Sequence, residues 1–331
     1  MQIRLINFTD QNIDREIELK SGLNMIVVFG SLNIDMVMSV KTMPRPGDTV
    51  LCPSYKLVPG GKGANQAVAA ARAGAEVKFF GKVGNDELGK IAVKSLEDNG
   101  VDLTGLSKCD VATGCAMVCV DAGGENMIAV ASGANALANQ SEIPDFLLSK
   151  DHTVVMQLET PLDQNWDLIE RAKKIGARTI LNLAPAHGIP VTILESIDVL
   201  VLNQIEATTL ALHLGFDVIS PSVAARRIST NFGITCIVTL GAEGAIACSP
   251  DGVWQVQAMP IQAIDTTAAG DAFVGVLAAS LDSGMALPEA LSRASVASGL
   301  VCTQSGAQSS LPLSNLIDQA IIDLPMPLQI A

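Results

Sequence analysis

Aromatic side chains are nearly missing: one Tyr, two Trp and eight Phe among 331 residues. A core for a chain of this length must then be built from Ala, Val, Ile and Leu. Hydrophobic residues, at 49% of the chain, are plentiful enough to build it. Ala- and Gly-rich helices lying close on Val/Ile strands suit that composition. Trp166 and Trp254 read as packing residues. Positive charge is also short, with 21 Lys and Arg against 34 Asp and Glu, a net charge of −13. Such a chain repels polyanions, which argues against a nucleic-acid partner.

The seven cysteines (Cys52, Cys109, Cys115, Cys119, Cys236, Cys248 and Cys302) are odd in number and contain no C-x-x-C. That argues against a disulfide framework or a zinc site, and leaves small buried hydrophobes in a reducing compartment. His152, His187 and His213 show no ligand spacing, so no chemistry is assigned to them. No apolar run is long enough to cross a bilayer, and the polar N-terminus lacks the apolar core of a secretory signal. The expectation is a soluble cytoplasmic protein with no membrane partner.

Residues 1–24 are polar and mixed, and read as an N-terminal extension of unknown role. From Met25 the chain turns regular. Met25–Ser31 reads as a buried strand running into a Gly turn. Met36–Val40 and Thr49–Val58 alternate like antiparallel strands on an exposed flap. Cys115–Val120 and Met127–Ala131 flank Asp121-Ala-Gly-Gly-Glu-Asn126, a hairpin signal. Together the segments at about 36–58 and 114–131 form one small β lid. Helices are expected at Ala64–Ala73, Asp86–Asn99, Asp163–Ile175, Gln204–Leu212, Pro221–Asn231, Ala269–Asp282 and Pro288–Cys302. Strands are expected at Val77–Gly81, Thr153–Gln157, Thr179–Leu183, Asp198–Leu202, Cys236–Thr239, Ala245–Cys248 and Val253–Val256. Strands alternating with helices predict an α/β fold: a doubly wound, mostly parallel sheet flanked by helices. It occupies 25–315, with 316–331 a C-terminal tail. Ligands in such sheets sit beyond the carboxyl ends of the strands.

Three stretches stand out chemically. In Ile264-Asp-Thr-Thr-Ala-Ala-Gly-Asp-Ala-Phe-Val-Gly275, two acids bracket very small residues at the mouth of an apolar helix. The first-turn N–H groups of that helix lack intrahelical partners and carry the positive end of its dipole. Ala268, Ala269 and Gly270 put no bulk before them, so a phosphoryl group has close access. The bland alternative makes Thr267 an N-cap and Asp271 a dipole-pairing acid. Pro59-Gly-Gly-Lys-Gly-Ala-Asn65 is neither a Walker A loop nor a dinucleotide fingerprint. It is equally a flexible turn or a loop admitting a polar ligand to Lys62 and Asn65. In Gly30-Ser-Leu-Asn-Ile-Asp35, Asn33 and Asp35 face one way in extended chain. They suit vicinal hydroxyls as well as they suit an Asx turn. Glu159, Asn203, Glu206, Thr239, Gly241 and Gly244 follow later strands.

Together these stretches resemble the ribokinase-like family of carbohydrate kinases, from about Met25 to Pro312. Gly60-Gly-Lys-Gly-Ala-Asn-Gln-Ala67 is similar to the family's first signature, and Asp265-Thr-Thr-Ala-Ala-Gly-Asp-Ala-Phe273 to its second. The resemblance implies a ribokinase-like fold and ATP-dependent phosphorylation of D-ribose at O5. Siblings acting on deoxyribose, fructose or a nucleoside are the alternatives, as is a silent sugar-binding protein. It implies Asp271 as general base, with the amides of Ala268, Ala269, Gly270 and Asp271 as an anion hole. Asn33, Asp35, Gly61, Lys62, Asn65 and Glu159 would hold the sugar. Asn203, Thr239, Gly241, Gly244 and Gly270 would line the ATP site, with Asn203 and Glu206 organising Mg²⁺ through water. A monovalent cation, usually K⁺, would lie by Asp265, Thr267, Val301, Gln304, Gly306 and Ser310. The lid would pair two subunits into a homodimer. The chain departs from the family pattern in its N-terminal extension, and in Pro59, which stands where an aromatic residue often precedes the Gly pair.

Overall fold

The computed structural model describes residues 24–217 and 220–330. The first 23 residues of the N-terminal extension lie outside the described residues. The strands are β1 (Met25–Phe29), β2 (Asn33–Ser39), β3 (Tyr55–Gly60), β4 (Val77–Gly84), β5 (Asp102–Cys109), β6 (Gly114–Val120), β7 (Asn126–Ala131), β8 (His152–Gln157), β9 (Arg178–Asn182), β10 (Val199–Asn203), β11 (Thr235–Thr239), β12 (Ala245–Ser249), β13 (Gly252–Val256) and β14 (Leu328–Gln329). The helices are α1 (Lys62–Arg72), α2 (Glu87–Asp98), α3 (Leu162–Ile175), the short α4 (Val191–Leu194), α5 (Gln204–His213), α6 (Pro221–Phe232), α7 (Ala269–Asp282), α8 (Leu287–Val301) and α9 (Ser314–Ala320).

Ten strands form one sheet in the order β14-β13-β12-β11-β10-β9-β8-β1-β4-β5. Pairing is parallel from β11 to β5 and antiparallel from β11 to β14. Successive β1 residues feed opposite faces, as a pleated strand requires. Ile26 and Val28 pack with the Ala-rich α1, α7 and α8. Val27 and Phe29 pack with α3, α5 and α6 on the other side. All four are fully buried, each contributing about 1.5–3 kcal/mol by leaving water. The shortage of aromatics is therefore met by small helices drawn close. Gly275 of α7 sits against α1 where a Cβ would lie 2.5 Å from the Gln66 carbonyl oxygen. That contact carries the start of α7 up to the start of α1.

The second sheet has the order β3-β2-β6-β7, with β2 and β6 parallel and both outer pairs antiparallel. It is the expected lid. Its strands begin elsewhere than expected: β2 starts at Asn33 rather than Met36, and β3 at Tyr55 rather than Thr49. Polar Asn33 and Asp35 lie inside β2 because their faces point to the site, where alternation of apolar residues gives no signal. Strand β5 was not expected at all. Its Asp102, Thr104, Ser107 and Lys108 disguise a half-buried edge strand. The segment from residue 316 contributes most of α9 and all of β14, which pairs with β13 through Trp254 and Gln255. Ile317 and Leu324 are buried. Among the described residues no helix is long and apolar enough to cross a membrane, and all seven cysteines are free thiols.

Candidate active site

Consecutive parallel strands end in polar residues: Gln157 on β8, Asn182 on β9, Asn203 on β10 and Thr239 on β11. Gln157 is in register with Asn182, and Asn203 with Thr239. The row marks the carboxyl edge of the sheet, where an open α/β fold places its ligands. The first residues of α1, α5 and α7 converge on it.

Helix α7 starts with an unusual entry. Ala268 precedes it at φ 62°, the single non-glycine with positive φ among the described residues. No side chain caps the helix, so the alternative with Thr267 as cap does not hold. The Thr267 N–H instead donates to Asp265 Oδ1 at 2.9 Å. Ala269 N–H donates to the Thr266 carbonyl at 3.2 Å, so it is already engaged. Gly270 and Asp271 keep N–H groups without a protein acceptor among the described residues. These two first-turn donors sit at a helix tip carrying partial positive charge, and the preceding Ala268 N–H likewise has no protein acceptor among the described residues.

Asp271 lies just inside and is 7% exposed. Its Oδ2 accepts from Asn65 Nδ2 at 2.9 Å and its Oδ1 from Gln66 Nε2 at 3.0 Å. Burial pushes its carboxyl up, against the charge of Lys62 and those two donors. Lys62 in turn is raised, chiefly by Asp271, although burial opposes this, with Glu159, Glu206 and Asp35 adding to the rise. Among the described residues Lys62 makes no ion pair or side-chain hydrogen bond, so its ammonium is available to a ligand.

The start of α1 is tied down by distant residues rather than by a local cap. Lys62 N–H donates to Glu159 Oε2 at 3.0 Å, Gly63 N–H to Ser31 Oγ at 3.2 Å, and Ala64 N–H to the Ser31 carbonyl at 2.9 Å. Ser31 Oγ also donates to Glu159 Oε2 at 2.5 Å. Gly61 has φ 89°, and a Cβ there would lie 2.8 Å from the Asn33 backbone nitrogen. Only glycine fits between the loop and β2. Across the gap, Asp35 is raised to about 6 by burial and by the charges of Glu159 and Asp271, with Lys62 opposing. Asn33, 3% exposed, gives its Oδ1 to Asn135 Nδ2 at 2.7 Å. Asn135 also accepts from Leu32 N–H at 2.9 Å. The expected acceptor of Asn33 is therefore occupied, and its amide N–H₂ is the end left for a ligand. Asn65 Oδ1 is buried and has no partner, an acceptor waiting for a donor.

Three hollows follow one another along this edge. One of about 600 Å³ is bounded by Asn33, Asn135, Glu159 and His187. The next, about 240 Å³, is lined by Lys62, Asn203, Glu206, Thr239, Gly270 and Asp271. The third, about 600 Å³, shares Thr239, Ala269 and Gly270 with it and extends over Gly241, Gly244 and Phe273. Asn203 and Glu206 form a capping box: Asn203 Oδ1 accepts from Glu206 N–H and Glu206 Oε2 from Asn203 N–H, both at 2.8 Å. Burial raises Glu206, opposed by that N–H and by Lys62. One free carboxylate oxygen and an amide facing the middle hollow fit a magnesium ion that keeps most of its water. Behind α7, Asp265 Oδ2 accepts from Gly306 N–H at 3.0 Å, and Asp265 N–H reaches toward the Cys302 carbonyl at 3.4 Å. Ser310 Oγ donates to the Gly306 carbonyl at 2.6 Å, and Gln304 N–H to the Val301 carbonyl at 3.2 Å. The 265–267 and 301–310 segments are thus joined by hydrogen bonds between Asp265, Cys302 and Gly306.

Of the sequence-predicted residues, Lys62, Asn203, Glu206, Thr239, Gly270 and Asp271 line the middle hollow and Asn33 and Glu159 the first, while Asn33 and Asp35 come from lid strand β2. Sequence reasoning missed Ser31, Asn135, Gln66, Gln157 and Asn182. For Gln157 and Asn182 the available signal was positional: a polar residue closing an otherwise apolar strand.

A carbohydrate-kinase family profile, pfkB, matches residues 23–313. The ribokinase of Haemophilus influenzae is 37% identical over 296 residues, covering 87% of this chain and 95% of that protein. A deoxyribokinase of Salmonella typhi is 33% identical over 292 residues, 87% of this chain and 95% of the other. A bifunctional ribokinase/ribose-5-phosphate isomerase A of Fructilactobacillus sanfranciscensis is 36% identical over 310 residues; the alignment takes in 90% of this chain but 57% of that longer protein. Among solved structures, ribokinase from Thermotoga maritima superposes with a TM-score of 0.84 at 31% identity, covering 91% of this chain and all of the other (100%). Arabidopsis thaliana ribokinase complexed with ribose and ATP gives 0.81 at 28%, covering 90% and 98%. The chain belongs to the pfkB family of carbohydrate kinases.

Proposed function

We propose that the protein transfers the γ-phosphoryl group of ATP to O5 of D-ribose, giving D-ribose 5-phosphate and ADP. The observation that carries this reading is the buried Asp271 carboxylate beside two unpaired helix-tip amides, facing Lys62 and the orphan acceptor Asn65 Oδ1. The sugar sits between β2 and α1. The Asp35 and Glu159 carboxylates and Asn65 Oδ1 accept from its hydroxyls, while Asn33 Nδ2 and Lys62 donate. ATP lies along the hollow over Gly241 and Gly244, with its terminal phosphate at Gly270. Asp271 accepts the O5 proton as the O5–P bond forms and the bond to the β-phosphate oxygen breaks. The free N–H groups of Gly270 and Asp271 stabilise charge on the moving phosphoryl oxygens. Lys62 and the amides of Asn65 and Gln66 favour the ionised form of Asp271, against the burial that raises its carboxyl.

Asn203 and Glu206 would hold Mg²⁺ through water, and that ion would neutralise phosphate oxygens. Asp265, Thr267, Val301, Gln304, Gly306 and Ser310 would surround K⁺, whose charge would steady the loop leading into α7. The outer lid strand β7, whose Met127, Ile128 and Val130 are each more than half exposed, would pair two subunits. A cytoplasmic location accords with free thiols and an acidic, soluble surface.

The test is ADP release measured with a panel of sugars, with and without K⁺. The reading expects ribose to be the best substrate and K⁺ to raise the rate. Preference for deoxyribose would move the protein to the activity of its deoxyribokinase relatives. A nucleoside or fructose preference would replace the sugar assignment, and no ADP release with any sugar would leave a silent binder.

A further inference from the structure

A chain of buried amides runs behind Asp271. Asn182 Nδ2 donates to the Val201 carbonyl of β10 at 3.2 Å. A main-chain carbonyl only accepts, so this contact turns Asn182 Oδ1 toward Gln66. Gln66 Nε2 donates to Asn182 Oδ1 and to Asp271 Oδ1, both at 3.0 Å. Gln66 Oε1 then faces Gln157, whose Nε2 donates to it at 2.7 Å. Gln66 and Gln157 have no exposed surface and Asn182 has 8%. Reversing the Gln66 amide would set its oxygen against two acceptors and its nitrogen against a donor. The orientation is thus dictated from the backbone of the sheet outward.

Resting on the kinase reading above, we propose that Gln66, its amide oriented by Asn182, is the positioning residue that holds Asp271 Oδ1 and keeps the buried carboxylate in the form that accepts the substrate proton. The donated hydrogen bond favours the ionised carboxylate against its burial. Oδ2 faces the α1 loop, where Asn65 holds it. Each oxygen thus accepts one side-chain amide N–H. Lys62 on α1, Glu159 after β8, Asp35 on β2 and, across the middle hollow, Glu206 on α5 are the charged groups around Asp271. They are unchanged in the variants below, so a shift between proteins reports the amide chain.

The experiment measures the single-turnover rate of phosphoryl transfer against pH, with ribose and Mg-ATP saturating. Saturation removes the effect of Asp35 on sugar binding, and single turnover removes product release. Gln66→Met keeps the volume and deletes both amide ends. Its acid limb is expected to move up by about one to two pH units, the effect of losing a hydrogen bond to a charged acceptor. Gln157→Met removes the donor to Gln66 Oε1 and so loosens the hold on that amide, and its limb is expected to move the same way by less. Ribose affinity measured by calorimetry is expected to stay within about threefold, because the amide chain does not touch the sugar. A limb unmoved in both variants, with ribose still bound, overturns the inference. If Gln66→Met does not fold, Gln157→Met decides by the same criterion. Absence of turnover by the unaltered protein with every sugar overturns the kinase reading, and this inference with it. Turnover with unmoved limbs overturns this inference alone.

Discussion

Asn65 Nδ2 lies 2.9 Å from Asp271 Oδ2, although 206 positions separate the two residues. The contact joins the Gly-rich loop that opens α1 to the helix tip that opens α7. The two signatures are one site because the helices they begin pack through Gly275.

Asn65→Ala removes a donor from a buried carboxylate and an acceptor from the proposed sugar. Turnover is expected to fall about 10- to 100-fold, equivalent to about 1.4–2.7 kcal/mol in the barrier. The KM for ribose should rise as well. Steady-state kinetics check both, and an unchanged KM would remove Asn65 from the sugar site.

Asp35 makes sugar binding sensitive to pH. Its carboxyl is raised to about 6 in the folded protein, above its ordinary 3.8. The empty fold binds more protons than the unfolded chain in this window, so its stability should fall as pH rises from about 4 to 6 and then level. Ribose hydroxyls donate to the ionised form. Ribose affinity should therefore weaken as pH drops through about 6, and Asp35→Asn should weaken it at all pH values and flatten the dependence. Calorimetric titration between pH 5 and 8 measures this.

Gly61→Ala tests the close approach of the loop to β2. The backbone there has φ 89°, and the added Cβ would press on the Asn33 nitrogen and the Ser31 carbonyl. A conformational cost of about 1–3 kcal/mol is expected, together with a large loss of ribose affinity. Thermal unfolding and binding report the two parts separately.

Asp265 gives a pH prediction of opposite sign. Burial disfavours ionised Asp265, but the N–H donors of Gly306 and Thr267 outweigh it and hold its carboxyl below the usual range. The stability this adds is present above the unfolded value near 3.8 and is lost as pH falls through the lower folded value. Asp265→Ala should lose that acid-range contribution and also the proposed activation by K⁺. Retained K⁺ activation in that variant would take Asp265 out of the cation site.

Both signatures were readable in the sequence for a physical reason. A helix tip that receives phosphate needs bare backbone, which Ala268, Ala269 and Gly270 provide, and an acid at its edge announces chemistry. The central strands were readable because burial on both faces demands continuous apolar runs such as Ile26–Phe29. β5 was hidden because an edge strand tolerates Asp102, Ser107 and Lys108. The amide chain of Gln66, Gln157 and Asn182 was hidden for another reason. Its members come from one helix and two strands, and each alone is an ordinary polar residue. The positive φ of Ala268 also left no trace, since alanine does not advertise a left-handed conformation as glycine does.

The most direct measurement is the turnover of Asp271→Asn alongside its affinity for ribose and ATP. The amide preserves shape but cannot take the O5 proton. Turnover is expected to fall about 10²- to 10⁴-fold, with both ligands still bound. Turnover close to that of the unaltered protein would contradict the assignment of Asp271 as the base.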